Sequence, residues 1–307
     1  MDSVPTDIKL VIDDLADIEK ALGHSKLVDL SNLSSAEADY LAQVWNNIEL
    51  SRRRKIINRM VELAEENFEL NFDIIYKNCL KDPDPEIRVK AIEGLWENEE
   101  TPLISTYIRM INEDKSEIVQ AAAAKALGHF AMLAELKKLG PASASRVSQA
   151  LLAILSDPSK PREVWRRALE AAAPLTLPEV KKSINEAYQS PDVKMKNSAL
   201  YAMGKNCDGA WLPILIKELA NPNPDVRYEA AGACGEICDE EAVPQLIKLT
   251  QDQDPEVQQT AIIALGKIGG LKAKTHLLKC VKSPDDNVAD AAETALKQIE
   301  DEGEELL

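Results

Sequence analysis

The sequence predicts an all-α fold: a right-handed α-α superhelix of about seven antiparallel helix pairs, preceded by N-terminal capping helices. Three observations predict it. Apolar positions recur at a spacing of 31 residues over most of the chain, one position is alanine in every copy, and Asp-Pro or Asn-Pro turns separate the copies.

Laid over itself, the chain aligns Ile87, Val119, Val164, Met195, Val226, Val257 and Val288, separated by 32, 45, 31, 31, 31 and 31 residues. Four residues after each anchor stand Ala91, Ala123, Ala168, Ala199, Ala230, Ala261 and Ala292. Seven after, the row reads Gly94, Ala126, Ala171, Ala202, Ala233, Ala264, Ala295, and the next position is mostly Leu, Met or Cys. Offsets of 0, 4, 7 and 8 trace one helix face. Its small side chains allow a neighbouring helix to come close.

A second helix follows in each copy. Leu212, Leu215, Ile216 and Leu219 are repeated as Val243, Leu246 and Ile247, then as Leu277, Leu278 and Val281. Pro213 and Pro244 fall early in these helices, where a missing N–H costs little. The runs Asp82-Pro83-Asp84-Pro85, Asn221-Pro222-Asn223-Pro224 and Asp254-Pro255 stop one helix and cap the next. One helix pair has too little interior to fold alone, so the pairs must stack.

Before the regular array, SRRRKIINRMVELAE and FDIIYKNCL read as an earlier, weaker pair starting near Ser51. Residues 5–22 and 35–48 read as capping helices, the latter opening on a Ser34-x-x-Glu37 capping box. The expected organisation is caps over 1–50, an array over 51–300 and an acidic tail over 301–307. The run Arg52-Arg53-Arg54-Lys55 reads as a solvated helix face paired with nearby acids.

The pattern D-P-x-V-R-x-x-A-A-x-A-L-G, a short turn, then A-V-P-x-L resembles the HEAT repeat, most closely its short phycobilin-lyase type. Arg88 and Arg227 match its arginine, and Gly128, Gly204, Gly235 and Gly266 its glycine. The resemblance covers about 82–300 and implies a HEAT/armadillo-like solenoid. Gln120, Trp165, Gln258 and Ala289 replace the arginine, so an inter-repeat ladder made by that residue should be interrupted there. The family implies a non-enzymatic scaffold or adaptor that holds a protein partner on the concave face lined by its second helices. It also implies an alternative: an accessory factor for bilin-type cofactor attachment, or another enzyme-associated regulatory subunit.

Composition narrows the partners. A net charge of −16 repels a phosphate backbone, so no nucleic-acid partner is expected. The same charge and the scattered tryptophans match poorly the basic, aromatic grooves of HEAT-like alkylpurine DNA glycosylases. No apolar run approaches the roughly 18 residues that would span a bilayer, so no membrane is expected, and the N-terminus does not read as a secretory signal. Five cysteines without a framework read as reduced, buried thiols of a cytoplasmic protein. Cys234 falls in a core row, which argues against a metal site with Cys238. The three histidines are followed by Ser25, Phe130 and Leu277, not by the glutamates of the HEAT-type deoxyhypusine hydroxylases. No catalytic constellation, metal or cofactor is expected, and the chain is expected to be a monomer.

Three features are candidates for binding. Lys217, Lys248 and Lys279 stand 22 residues after their anchors, with Arg109 in the same register, Glu186 as the exception, and His276 on the face of Lys279. The resemblance would make them a basic stripe for an acidic segment; as cations in a last helical turn they also complement the helix dipole without any partner. The second feature is the 45-residue spacing, an insertion at about 129–146. There a helix is expected to run to Leu139, end at Gly140 and restart from a cap at Ser143 or Ser145. Phe130, Leu133 and Leu136 form an apolar stripe on it, open either to a partner or to its own repeat. The third is Trp165, flanked by Arg162, Arg166 and Arg167, either an interaction anchor or a side chain packed under the insertion.

Overall fold

The computed structural model describes residues 6–305, and among these every regular element is a helix. Residues 1–5 and 306–307, included in the expected cap and tail, lie outside the described residues. Three helices come first: α1 (Thr6–Ala16), α2 (His24–Val28) and α3 (Ser35–Trp45). Seven pairs follow. They are α4 (Leu50–Glu66) with α5 (Asp73–Cys79), α6 (Pro85–Gly94) with α7 (Pro102–Glu113), α8 (Glu117–Glu135) with α9 (Pro141–Ser156), and α10 (Arg162–Ala172) with α11 (Pro178–Tyr188). Then come α12 (Val193–Asn206) with α13 (Leu212–Glu218), α14 (Pro224–Ile237) with α15 (Val243–Leu249), and α16 (Pro255–Ile268) with α17 (Gly270–Cys280). A last helix, α18 (Asp286–Glu305), absorbs residues expected as an acidic tail.

The Asx-Pro turns work in two steps. Asp82, Asn221 and Asp252 each accept the N–H of the residue two ahead, at 2.8, 2.9 and 2.9 Å. Those residues, Asp84, Asn223 and Asp254, then cap α6, α14 and α16, and a proline opens each helix. The Ser34–Glu37 capping box forms as its spacing predicts, with Glu37 accepting the Ser34 N–H at 2.8 Å.

The chain divides into two compact units. The first comprises Met1–Leu133, Leu139–Ala150 and Ser159–Arg167; the second comprises Ala134–Lys138, Leu151–Pro158 and Ala168–Leu307. All seven alanines of the invariant row are 0% exposed. In the second unit the first helices pack almost backbone to backbone. A β-carbon on Gly204, Gly235 or Gly266 would stand within 2.7, 2.9 or 2.8 Å of Ala233, Ala264 or Ala295. In the first unit the core is larger-grained, with Tyr76, Tyr107, Phe72, Ile56, Ile57 and Met60 fully buried.

Several expectations are corrected. Arg52 and Arg53 are only 7% exposed, not a solvated face. Arg53 meets Asp82 at 2.5 Å, Trp45 donates to the same carboxylate at 2.7 Å, and Arg52 donates to the Leu15 carbonyl at 3.0 Å. Only Arg54 behaves as expected, pairing with Asp84 and Glu86. The Arg run is therefore a spine that ties α4 to α1, α3 and the turn before α6.

The arginine ladder is also less broken than expected. Arg88 clamps Asp114 through two bonds of 2.8 and 2.7 Å, and Arg227 clamps Asp252 through two of 2.7 Å. Each also donates to a carbonyl six residues back, Asp82 or Asn221. Gln120 and Gln258 keep that second bond, to the Asp114 and Asp252 carbonyls at 2.7 and 2.5 Å. A glutamine is long enough to hold the turn but carries no charge with which to clamp a carboxylate.

The thiols divide as well. Cys79, Cys234 and Cys280 are buried, but Cys207 and Cys238 are exposed, against the expectation that all were core. Both end a helix in the left-handed conformation, at φ 52° and 57°, where Gly269 at φ 65° ends α16. Finally, the insertion is a lengthened helix pair and not a loop. α8 stops at Glu135, Lys137 turns the chain at φ 58°, and the Leu139 N–H reaches back to the Leu133 carbonyl at 3.2 Å. α9 begins at Pro141, so neither Ser143 nor Ser145 is its cap.

Candidate binding groove

Nine residues after the anchor, the second unit carries the close-packing row Gly204, Gly235 and Gly266. In α6 the same register falls on Trp96. An indole cannot fit where a β-carbon already collides, so it stands out of the stack, 60% exposed. A cavity of about 630 Å³ opens beside it. Trp96, Ile118, Ala122, Lys125, His129 and Phe130 are among its walls. The size is that of a ligand or side-chain pocket, roughly 300–1,000 Å³.

A second hollow of about 380 Å³ shares Glu65, Trp96 and Asn98 with the first and continues to Phe68, 84% exposed. Its floor is made by a substitution in another row. Gly94 stands where most repeats have alanine, and the Tyr76 ring lies over it, 2.6 Å from where a β-carbon would be. The Tyr76 hydroxyl is buried there without a hydrogen-bond partner. Burial, reinforced by the charges of Asp73, Cys79 and Glu65, pushes the Tyr76 phenol well above the ordinary tyrosine range.

The rim comes from two turns in equivalent register. Asn67 accepts the Glu69 N–H at 3.0 Å after α4, and Asn98 accepts the Glu100 N–H at 2.9 Å after α6. Each turn therefore presents an aromatic ring and several acids together: Glu65 to Glu69 around Phe68, and Trp96 to Glu100. Some of these acids are neutralised locally. Arg59 holds Glu66, Lys77 holds Glu100, and Arg166 and Arg167 hold Glu163. The Lys77 ammonium lowers the pKa of Glu100, and Arg166, assisted by Arg167, lowers that of Glu163. Among the described residues no cation lies within ion-pair distance of Glu65, Glu69 or Glu97. His129 Nε2 is buried without a hydrogen bond, 3.6 Å from the Glu99 carboxylate.

The residues singled out in the sequence scatter. Phe130 and Leu133, expected on an open stripe, are core side chains at 1% and 6% exposure, and only Leu136 is exposed. Phe130 nevertheless reaches the groove as part of its wall. Trp165 is half-buried on α10. Lys217, Lys248 and Lys279 are exposed in the last turns of α13, α15 and α17. His276 belongs to packing more than to that row: it is half-buried and bonds Thr250 at 2.8 Å, its pKa lowered by burial and by Lys279. Arg109 is exposed on α7, in the other unit. The sequence reading passed over Trp96, although its signal was present: a tryptophan in a row otherwise mostly glycine.

Among the described residues no cluster of three His, Cys, Asp or Glu side chains is arranged to hold a metal, and no helix is long and apolar enough to cross a membrane.

No curated protein sequence matches this chain significantly. Among solved structures, the YibA protein of E. coli aligns at 20% identity and TM-score 0.46, over 77% of this chain and 96% of its own. Human deoxyhypusine hydroxylase in complex with glycerol aligns at 17% identity and TM-score 0.38, over 96% of each chain. Importin beta aligns at 16% identity and TM-score 0.47, over 95% of this chain and 46% of its own. The family model for HEAT repeats matches residues 75–146 and 212–297, more than half of the chain, so this protein belongs to the HEAT-repeat family.

Proposed function

We propose that this chain is a non-enzymatic scaffold that holds a protein or peptide partner, and that the Trp96 groove is where it does so. One observation carries the reading: a bulky ring replaces the packing glycine and opens a cavity where later repeats close up. A residue that serves only the fold would be buried; Trp96 and Phe68 lie open on either side of a concave apolar surface. The reduced thiols, two of them exposed, favour a reducing compartment such as the cytoplasm. The test is quantitative affinity capture with wild-type protein, W96A/F68A and K217E/K248E/K279E. Partners lost only with W96A/F68A support the groove; an unchanged set with that variant overturns it.

The lysine row is a second reading, favoured by the exposure of Lys217, Lys248 and Lys279 at intervals of 31 residues on α13, α15 and α17. It would hold an acidic segment. Charge reversal at all three that leaves every partner bound rules it out.

A further inference from the structure

We infer that the groove takes a basic segment, in which an arginine or lysine alternates with an apolar side chain. The inference rests on the groove reading above and names its ligand class. Its first support is charge. The walls of the two hollows carry Glu65, Asp73, Glu93, Glu97 and Glu163 against Lys125 and Arg167. Of these carboxylates, Glu93 and Glu163 are already paired, by Lys90 and by Arg166 and Arg167, and Asp73 accepts from Asn98 at 2.5 Å. Glu65 and Glu97 remain uncompensated beside the Trp96 ring, with Glu69 next to Phe68. A cation over an indole face gains from the ring quadrupole, and carboxylates beside the ring hold its charge there.

The second support is independent of charge. The Tyr76 hydroxyl belongs to a residue 1% exposed, lines the hollow and has no partner within the protein. A buried hydroxyl left unbonded is costly, and a guanidinium entering beside Glu65 brings several N–H donors to it. The third is shape. Phe68 and Trp96 flank one hollow, and Ile118, Ala122 and Phe130 wall the other, so an apolar side chain next to the cation has its own place. An acidic segment would instead set like charges against Glu65 and Glu97 and leave Tyr76 facing an acceptor.

The experiment uses the full chain and three fluorescein-labelled peptides of equal length: alternating Arg-Leu, Gln-Leu and Glu-Leu. Binding is read by anisotropy at low salt and at about 0.15 M salt. The expected result is that Arg-Leu binds, weakens with salt, loses about fivefold affinity in W96A, and loses more than about tenfold in E65Q/E69Q/E97Q. All these positions are exposed, and unchanged thermal unfolding of both variants verifies that they fold. Y76F should weaken Arg-Leu without affecting residual Gln-Leu binding. If Gln-Leu or Glu-Leu binds as well as Arg-Leu and still depends on Trp96, the basic class is overturned while the groove stands. If no peptide binds in a Trp96-dependent way, both readings fall.

Discussion

Gly204 of one repeat and Ala233 of the next meet with almost no space between their backbones: a β-carbon on Gly204 would lie 2.7 Å from the Ala233 Cα. Backbone cannot step aside as a long side chain can. Gly204→Ala is therefore expected to cost about 1–3 kcal/mol, although alanine is the better helix former. Gly232 supplies the control, since its nearest neighbour would be the Thr260 Cγ2 at 3.7 Å. Gly232→Ala should be neutral or stabilise by up to about 1 kcal/mol. Urea unfolding of the two variants checks the contrast, and equal effects would show that close approach is not what the glycine row provides.

The Arg227–Asp252 clamp predicts both a mutational cost and a pH dependence. Both side chains are largely covered, so Arg227→Ala, which strands the carboxylate, should destabilise by about 2–3 kcal/mol. The pair R227Q/D252N should lose less, because glutamine at this register keeps the carbonyl bond that Gln120 and Gln258 make. Burial by itself would raise the Asp252 pKa, but Arg227 and the Asp254 N–H outweigh it and hold the carboxyl below its ordinary value. Arg54 does the same for Asp84. A carboxyl with a depressed folded pKa adds stability above its unfolded pKa and loses it as pH falls through the folded one. The melting temperature should therefore fall most steeply below about pH 4, and less so in R227Q/D252N. Circular dichroism melts across that range measure it.

Thiol reactivity should separate into two classes. Cys207 and Cys238 are exposed at helix ends, whereas Cys79, Cys234 and Cys280 are buried, and burial pushes the Cys234 thiol up to about 12. A disulfide reagent such as Ellman's should titrate two thiols in the native protein and five after unfolding. Fast native labelling of a third would mean that a repeat opens locally.

How much of this was legible beforehand depends on which neighbour a residue answers to. The alanine row, the Asx-Pro caps and the Ser34–Glu37 box follow from local spacing, and the structure keeps each of them. Arg52 and Arg53 were misread because their fate is settled by Asp82 and Leu15, about 30 residues away on either side. The same holds for Cys207 and Cys238: spacing gave their equivalence but not that their register falls just past a helix end. Trp96 could have been found from the glycine row, since a large residue at a close-packing position must either break the stack or leave it. The acids of the rim could not, because only the fold brings the turns after α4 and α6 alongside each other.

The insertion carries the last prediction, and here the structure reverses the expected outcome. Were it a surface loop, deleting residues 131–144 would leave unfolding nearly unchanged. Ala131 and Leu133 are instead core side chains, at 0% and 6% exposure, and the deletion also removes the turn that joins α8 to α9. It should destabilise the protein as a large core truncation does, by several kcal/mol. Phe130→Ala isolates the core contribution: a fully buried ring, 6.4 Å from that of Tyr107, should cost about 3–5 kcal/mol. Leu136→Asp, on a residue 56% exposed, should stay within about 0.5 kcal/mol of wild type. Urea midpoints for the three variants decide the matter. A stable deletion with a fragile F130A would confine the core role to α8 before residue 131, and the extra turns would then be free for another purpose.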